Sequence, residues 1–141
     1  SGDERVRPLL VDTNAYVAFL RGDPEIVDVL AHTDILYFNS IVLGELLAGF
    51  AAGTREPSNR AQLSRFLASE RVVVLNVTDE TADRYALVYA SLRRKGRPIP
   101  TNDLWIAASA LERGTALLTL DEHFAQVDGL RVGRRTADFL P

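Results

Sequence analysis

The sequence contains no cysteine and only two histidines among its 141 residues. Without cysteine, the chain has no disulfide, no thiolate metal site and no cysteine nucleophile. The two histidines, His32 and His123, are too few for a histidine-rich zinc site. The metal ligands that remain are the oxygens of Asp and Glu, which suit hard cations such as Mg²⁺ or Mn²⁺.

Long apolar runs are lacking as well, since none is long enough to span a bilayer, and no signal peptide is evident. We therefore expect a cytoplasmic protein that does not associate with membranes. Residues 1 and 2 are Ser-Gly with no Met before them, which is typical of the remnant of a cleaved tag. A length of 141 residues predicts a single domain over residues 1–141 that is large enough to bury a core.

An excess of basic charge is also absent, because 16 Lys and Arg residues face 19 Asp and Glu residues. The net charge of −3 at first argues against a nucleic-acid partner. If four acids are set aside at a metal site, however, 16 basic residues face 15 acids and the balance is +1. Lys95 is the only lysine, and the arginines that make up the rest can bind phosphate through two hydrogen bonds. Codon usage explains the same arginine bias, and composition leaves both explanations open.

Apolar runs alternate with helical patterns along the chain. The runs predict short strands at residues 8–12, 35–38, 72–77, 116–120 and 130–132. The segments between them predict helices at residues 13–20, 24–31, 40–52, 59–69, 78–95 and 103–113. Continuous apolar strands that alternate with helices indicate an α/β fold, in which about five parallel strands are covered by helices on both faces.

Three of the helices have predicted start signals. Ser40 is expected to cap the third helix, and either Thr101 or Asn102 the sixth. Thr78 starts the fifth helix, where Thr81 stands in place of the Glu that a capping box requires.

One carboxylate, Glu45, lies in the apolar and small-residue segment SIVLGELLAGFAAG at residues 40–53. On a helix, the residues three and four positions away from it include no cation, since they are Ile41, Val42, Ala48 and Gly49. Burying an unpaired carboxylate costs several kcal/mol. We therefore expect Glu45 either to point out of its helix or to meet a cation that the rest of the fold brings to it.

Three other acids lie next to predicted strands. Asp12 ends the first strand, Asp121 follows the fourth, and Asp103 opens the helix that leads into the fourth. Such sheets bind ligands at the carboxyl ends of their strands, so these acids share one edge if the first and fourth strands are neighbours. Glu45 is then placed to approach from the side. Each of the three also has a structural explanation, as a helix cap, a turn residue or an acid in a first helical turn.

Four motifs, LLVDTN, LGEL, TNDLWIAA and LLTLDEHF, resemble in this order those of PIN-domain nucleases, over nearly the whole chain. More narrowly, the sequence resembles the VapC toxins of bacterial toxin–antitoxin pairs. The resemblance implies a PIN-like fold and an endoribonuclease that depends on Mg²⁺ or Mn²⁺. The catalytic and metal-binding acids that it implies are Asp12, Glu45, Asp103 and Asp121. The supporting polar groups are Thr13, Asn14 and Thr119, whereas His123 lies where many relatives carry another acid or a variable residue, and its role stays open.

The chemistry of phosphodiester hydrolysis is consistent with four clustered carboxylates. A divalent ion lowers the pKa of bound water and neutralises charge on the phosphate. Four carboxylates can hold one ion, or two once the substrate adds ligands, and the sequence leaves the number open. Carboxylates within about 6 Å of one another raise each other's pKa. We therefore predict that at least one of the four acids has a raised pKa in the metal-free protein.

The resemblance also implies partners, namely an RNA substrate, a second copy of the chain in a homodimer, and a small antitoxin whose tail lies across the acidic groove. The candidate RNA contacts are Arg93, Arg94 and Arg97, with Arg134 and Arg135 as further candidates. Cations also suit the end of a helix, so a structural role for the first three stays open. The candidate dimer contacts are Tyr85, Tyr89 and Leu92 and the helices around Phe50 and Phe66.

Other functions agree less well with these residues. An idle PIN-like module that only holds a protein or RNA partner would not require the four acids, and RNA cleavage with and without Mg²⁺ discriminates it from an enzyme. A response-regulator receiver domain requires a late lysine, but Lys95 precedes the fourth strand. A phosphatase with an aspartyl nucleophile requires Asp-x-Asp after the first strand, where this chain has Asp-Thr-Asn.

Overall fold

Five short strands form one parallel sheet in the computed structural model, which describes residues 5–141. They are β1 (Leu9–Val11), β2 (Leu36–Asn39), β3 (Val72–Leu75), β4 (Ala116–Leu118) and β5 (Val132–Gly133). Their order across the sheet is β3-β2-β1-β4-β5. The first and fourth strands are neighbours, which meets the condition for a shared acidic edge, with Leu9 opposite Ala116 and Val11 opposite Leu118. Residues 1 and 2, interpreted as a tag remnant, lie outside the described residues.

Six α-helices flank this sheet within residues 5–141. They are α1 (Thr13–Leu20), α2 (Pro24–His32), α3 (Ser40–Ala52), α4 (Glu56–Leu67), α5 (Asp79–Lys95) and α6 (Thr101–Arg113). Right-handed connections that run from β1 out to β3 and then back to β4 place α1–α4 on one face and α5 and α6 on the other. This is the predicted arrangement of a sheet between helical layers. None of the described helices combines the length and apolar character needed to cross a membrane.

Two predicted helix caps are wrong, because residues just before the expected ones take the role. Asn39, not Ser40, caps α3: its Oδ1 accepts a backbone N–H of the first turn at 2.8 Å, and its Nδ2 donates to Ser109 Oγ at 3.0 Å. The N-cap of α6 is Pro100, so the helix already begins at Thr101. This earlier start places the whole first turn of α6 at the carboxyl edge of the sheet.

The long helix α5 begins after Thr78, as predicted, and Thr81 acts in place of the missing Glu. The Thr81 hydroxyl accepts the backbone N–H of Thr78 at 3.0 Å and donates to Glu112 Oε1, near the end of α6, at 2.6 Å. The start of α5 therefore lies beside the end of α6, so the two helices run antiparallel. At its other end α5 stops at Gly96, whose φ of 67° is the left-handed conformation that glycine favours.

A cluster of aromatic rings occupies the core between α1, β2 and α4. The ring centroid of Tyr16 lies 5.8 Å from that of Phe38 and 5.4 Å from that of Phe66, both edge to face. Phe19 closes the cluster at 5.3 Å from Phe66. Tyr16 is completely buried, and its hydroxyl has no hydrogen-bond partner among the described residues.

Several candidate dimer contacts belong to the core of the single chain instead. Leu92 and Phe50 are buried, and Phe66 is part of the aromatic cluster. Leu92 is therefore covered within the chain, whereas the proposal that the helices around Phe50 and Phe66 form a dimer surface stays a prediction. Tyr85 packs on Trp105 with ring centroids 4.2 Å apart, whereas Tyr89 remains 45% exposed.

Candidate active site

A buried aspartate, Asp12, lies at the carboxyl edge of β1 between two hydrogen-bond donors. Its side chain accepts the backbone N–H of Thr13 at Oδ1 and the hydroxyl of Thr119 at Oδ2, both at 2.8 Å. Asp12 is only 4% exposed. Thr119 reaches it because β4, which Thr119 follows, pairs with β1. Asp12 thus caps α1, as the structural explanation proposed, and at the same time presents its second oxygen to the neighbouring strand.

The predicted supporting groups Asn14 and Thr119 connect α1 to the segment after β4. Asn14 Oδ1 accepts the backbone N–H of Leu120 at 3.0 Å. Thr119 Oγ1 accepts the backbone N–H of Asp121 at 3.0 Å while its hydrogen goes to Asp12. The Thr119 hydroxyl therefore links two of the predicted acids, Asp12 and Asp121, through its hydrogen bonds.

Glu45 points out of α3 toward polar donors and not toward a cation of the chain. The hydroxyl of Thr13 donates to Glu45 Oε1 at 2.6 Å, and Asn102 Nδ2 donates to Glu45 Oε2 at 3.3 Å. These donors belong to α1 and α6, two helices that are distant in sequence. The carboxylate in the apolar segment is thus held at the same edge as Asp12, with neutral donors at both oxygens.

The third part of the edge is a trio of Asp103, Asp121 and His123, whose ligand atoms all lie within 4.8 Å of one another. Imidazole Nδ1 of His123 lies 2.8 Å from Asp121 Oδ1, and Nε2 contacts Asp103 Oδ2. Asp121 also caps the 3₁₀ segment Glu122–Gln126 by accepting the backbone N–H of His123 at 3.1 Å. Two acids from different elements are thereby joined through one imidazole.

Two of these acids have raised pKa values. Burial, opposed by the hydrogen bonds from Thr119 and Thr13, raises the pKa of Asp12 to about 6, and the nearby carboxylates of Asp103 and Glu45 add a smaller increase. Burial also raises the pKa of Asp103, against the contact with His123. The predicted direction is confirmed, and the predicted repulsion between carboxylates contributes to both raised pKa values. Desolvation of the carboxylates is the main cause, and repulsion between them is secondary.

A cavity of about 810 Å³ opens at this edge, and all four predicted acids line it. Its wall also includes Thr13, Asn14 and one cation, Arg21 at the end of α1. The candidate RNA contacts Arg93 and Arg94 do not line it. They lie in the last turn of α5, which is joined to the start of α6 by a short connection. Arg134 and Arg135 lie near Glu25, with Arg135 Nε 2.6 Å from that carboxylate.

Sequence reasoning did not assign functional contacts to Asn102, Arg21 and His123. The sequence predicts Asn102 only as a possible helix cap, but its side-chain amide donates a hydrogen bond to Glu45. Arg21 follows a predicted helix and gives no local signal of its position in the cavity. His123 had a signal in its spacing, because a residue two positions after a turn aspartate can place both its backbone N–H and its side chain on that carboxylate.

The donor atoms at this edge suit a divalent cation. Four carboxylates supply oxygen ligands, which Mg²⁺ and Mn²⁺ accept. Asp103, Asp121 and His123 are the compact group among the described residues, and Asp12 and Glu45 extend the cavity wall beside it. The buried Asp12 carboxylate, whose raised pKa reflects lost hydration, gains from a nearby cation.

Comparison with known proteins identifies a family and close relatives. The family model of the PIN domain matches residues 9–130, a range that includes all four acids. Ribonuclease VapC4 of Mycobacterium tuberculosis is 30% identical over 129 residues, covering 90% of this chain and 96% of that protein. Ribonuclease VapC1 of Haemophilus influenzae (strain R2866) is 35% identical over 115 residues, covering 78% of this chain and 84% of that protein. The structure of DNA-bound VapBC from Salmonella typhimurium has a TM-score of 0.79 and 27% identity, covering 91% of this chain and 97% of that chain.

Proposed function

Because the chain belongs to the PIN-domain family, among its VapC-type ribonucleases, we propose that its acidic edge hydrolyses RNA phosphodiester bonds with a bound divalent cation, Mg²⁺ or Mn²⁺. The protein is an endoribonuclease and the toxin of a toxin–antitoxin pair. The observation that supports the chemistry most is the convergence of four carboxylates from four separate parts of the chain on one cavity. A shared cation is the simplest compensation for so much negative charge.

Asp12, Glu45, Asp103 and Asp121 are the residues that would hold the cation. When bound, the cation supplies an acidified water and neutralises charge that develops on the phosphate. The remaining side chains orient the carboxylates. The Thr119 hydroxyl and the backbone N–H of Thr13 hold Asp12. The Thr13 hydroxyl and the Asn102 amide hold the two oxygens of Glu45.

Attack by water, and not by the ribose 2′-hydroxyl, leaves a 5′-phosphate and a 3′-hydroxyl on the fragments. Arg21, which lines the cavity, supports phosphate binding next to the acids. Arg93, Arg94 and Arg97 extend the proposed RNA path from the C-terminal end of α5. Mapping of the fragment ends after digestion of total RNA checks the products and reports which RNA is cut.

The proposed assembly contains a small antitoxin and a second toxin chain. Several solved structures similar to this chain are of VapBC, a family of toxin–antitoxin systems, and the cognate antitoxin is its partner here. The antitoxin tail would lie over the acidic cavity, where a basic side chain matches the carboxylates. For the homodimer, Leu87 and Tyr89 of α5 are exposed apolar side chains on one of the candidate dimer helices. Light scattering at micromolar concentration checks the dimer, and a monomer would contradict it.

RNA cleavage by Asp103→Asn, compared with the wild type in Mg²⁺, in Mn²⁺ and in EDTA, tests the proposed function. We expect EDTA to stop the wild type and Asp103→Asn to lose activity by about 100-fold or more, because one charged ligand is removed. Asp34→Asn is the matched control, since Asp34 is exposed and pairs with Arg5. A wild-type protein that binds the antitoxin but never cuts RNA would identify an idle binding module instead.

A further inference from the structure

His123 is the one imidazole at the acidic edge, and its contacts give its two ring nitrogens different roles. The chain has only one other histidine, His32, which lies in α2 and whose Nδ1 lies 2.8 Å from the backbone oxygen of Asp28. The backbone N–H and ring Nδ1 of His123 both lie on Asp121 Oδ1. The 3₁₀ segment that Asp121 caps therefore fixes the orientation of the ring.

The position of the ring proton follows from this arrangement. An ionised carboxylate only accepts hydrogen bonds, so a neutral imidazole that bonds Asp121 carries its proton on Nδ1. The lone pair of Nε2 then faces Asp103 Oδ2, which is also an electron-pair donor. Two such atoms repel each other unless they share a cation, which is a proton in a close contact or a metal ion once the atoms lie about 3 Å apart. A ligating histidine usually donates its other ring N–H to a carboxylate, which is the role that Asp121 takes here.

The spacing of the atoms also suits a metal ion. An octahedral ion with ligands at about 2.1 Å places neighbouring ligand atoms about 3 Å apart and opposite ones about 4.2 Å apart. The ligand atoms of Asp103, Asp121 and His123 all lie within 4.8 Å of one another, an upper limit that leaves room for both separations. The imidazole is one-third exposed at its side chain, so an ion can reach it from solvent without unfolding the core.

We propose that His123 is a direct ligand of the divalent cation through Nε2, together with Asp103, and that Asp121 orients its ring through Nδ1. This inference rests on the proposed metal-dependent function. A ligand set of one imidazole nitrogen and several oxygens favours Mn²⁺ over Mg²⁺, since Mg²⁺ strongly prefers oxygen. His123 therefore makes the site selective for Mn²⁺, a property that a set of four carboxylates alone does not have.

Pulsed electron paramagnetic resonance of Mn²⁺ bound to the tag-free protein tests this directly. A ligating imidazole gives a strong ¹⁴N modulation, which changes to the ¹⁵N pattern when the protein is grown with ¹⁵N-histidine. We expect both signals in the wild type and in the control His32→Gln, and neither in His123→Gln. If His123→Gln fails to fold, the isotope exchange in His32→Gln, whose remaining histidine is His123, still tests the assignment.

Calorimetric titration with Mn²⁺ and with Mg²⁺ supplies the second measurement. We expect His123→Gln to weaken Mn²⁺ binding by about 10-fold or more and Mg²⁺ binding by less, with His32→Gln equal to the wild type. Bound Mn²⁺ that supports cleavage but shows no histidine nitrogen coupling would overturn the role of His123 alone. A protein that binds neither ion and still cuts RNA in EDTA would overturn the metal-dependent function as well.

Discussion

The substitution Asp12→Asn removes a buried carboxylate whose pKa burial raises from an ordinary 3.8 to about 6. A raised pKa means that the folded protein binds this proton more tightly than the unfolded chain does. The stabilisation from Asp12 is therefore fully present below pH 3.8 and is lost as the pH rises through about 6. The difference corresponds to about 3 kcal/mol of unfolding free energy above pH 7.

Asn is the informative replacement because it keeps the helix cap while it removes the charge. Its side-chain oxygen can still accept the backbone N–H of Thr13, and Asn caps helices about as well as Asp. In the metal-free protein we expect Asp12→Asn to be no more stable than the wild type near pH 4. Above pH 7 we expect it to be more stable by up to about 3 kcal/mol.

Urea unfolding followed by circular dichroism, between pH 4 and pH 8 in EDTA, measures this difference. The control Asp12→Ala also removes the charge but loses the cap, so it should lie about 1 kcal/mol below Asp12→Asn at every pH. Added Mn²⁺ should reduce the difference in unfolding free energy between the wild type and Asp12→Asn, because it stabilises the wild type. If the difference in unfolding free energy between the wild type and Asp12→Asn does not change with pH, the reasoning that burial raises this pKa is refuted.

Asp103→Asn should abolish RNA cleavage and, in EDTA near neutral pH, keep or raise the melting temperature, because burial raises this pKa too. Calorimetry measures this melting temperature, and a lower value would identify a structural role for Asp103, such as its contact with His123. Tyr16→Phe should keep or raise the unfolding free energy in urea, because the buried hydroxyl has no partner among the described residues. A loss of more than about 1 kcal/mol would contradict this. In the Asp103→Asn background, replacing Arg93 and Arg94 by Ala should reduce the salt dependence of single-stranded RNA binding by about 0.7 in log–log slope per lost phosphate contact. An unchanged slope would exclude both from the RNA path.

Local sequence patterns were sufficient to predict the strands and helices and the α/β class of the fold. Continuous apolar runs such as VVVL at Val72–Leu75 are short enough for strands and too uniform for one-sided helices. Gly96 ends its helix because its conformation is intrinsic to glycine. Such signals act within a few residues, so they can be recognised without the rest of the fold. The cap of α3 was misplaced because Asn39 and Ser40 are both good caps, and only the contact with Ser109 favours Asn39.

The order of the acids along the chain, and the motifs around them, were likewise visible in the sequence and predicted one shared edge. What the sequence by itself could not determine was how each acid is held. Strand pairing brings Thr119 to Asp12, and helix packing brings Thr13 and Asn102 to Glu45. These contacts join residues that are 32 to 107 positions apart, and burial depends on the whole surrounding shell. Tertiary structure therefore decided which carboxylates are desolvated, and it placed an imidazole between two of them, because both properties depend on distances that no local pattern contains.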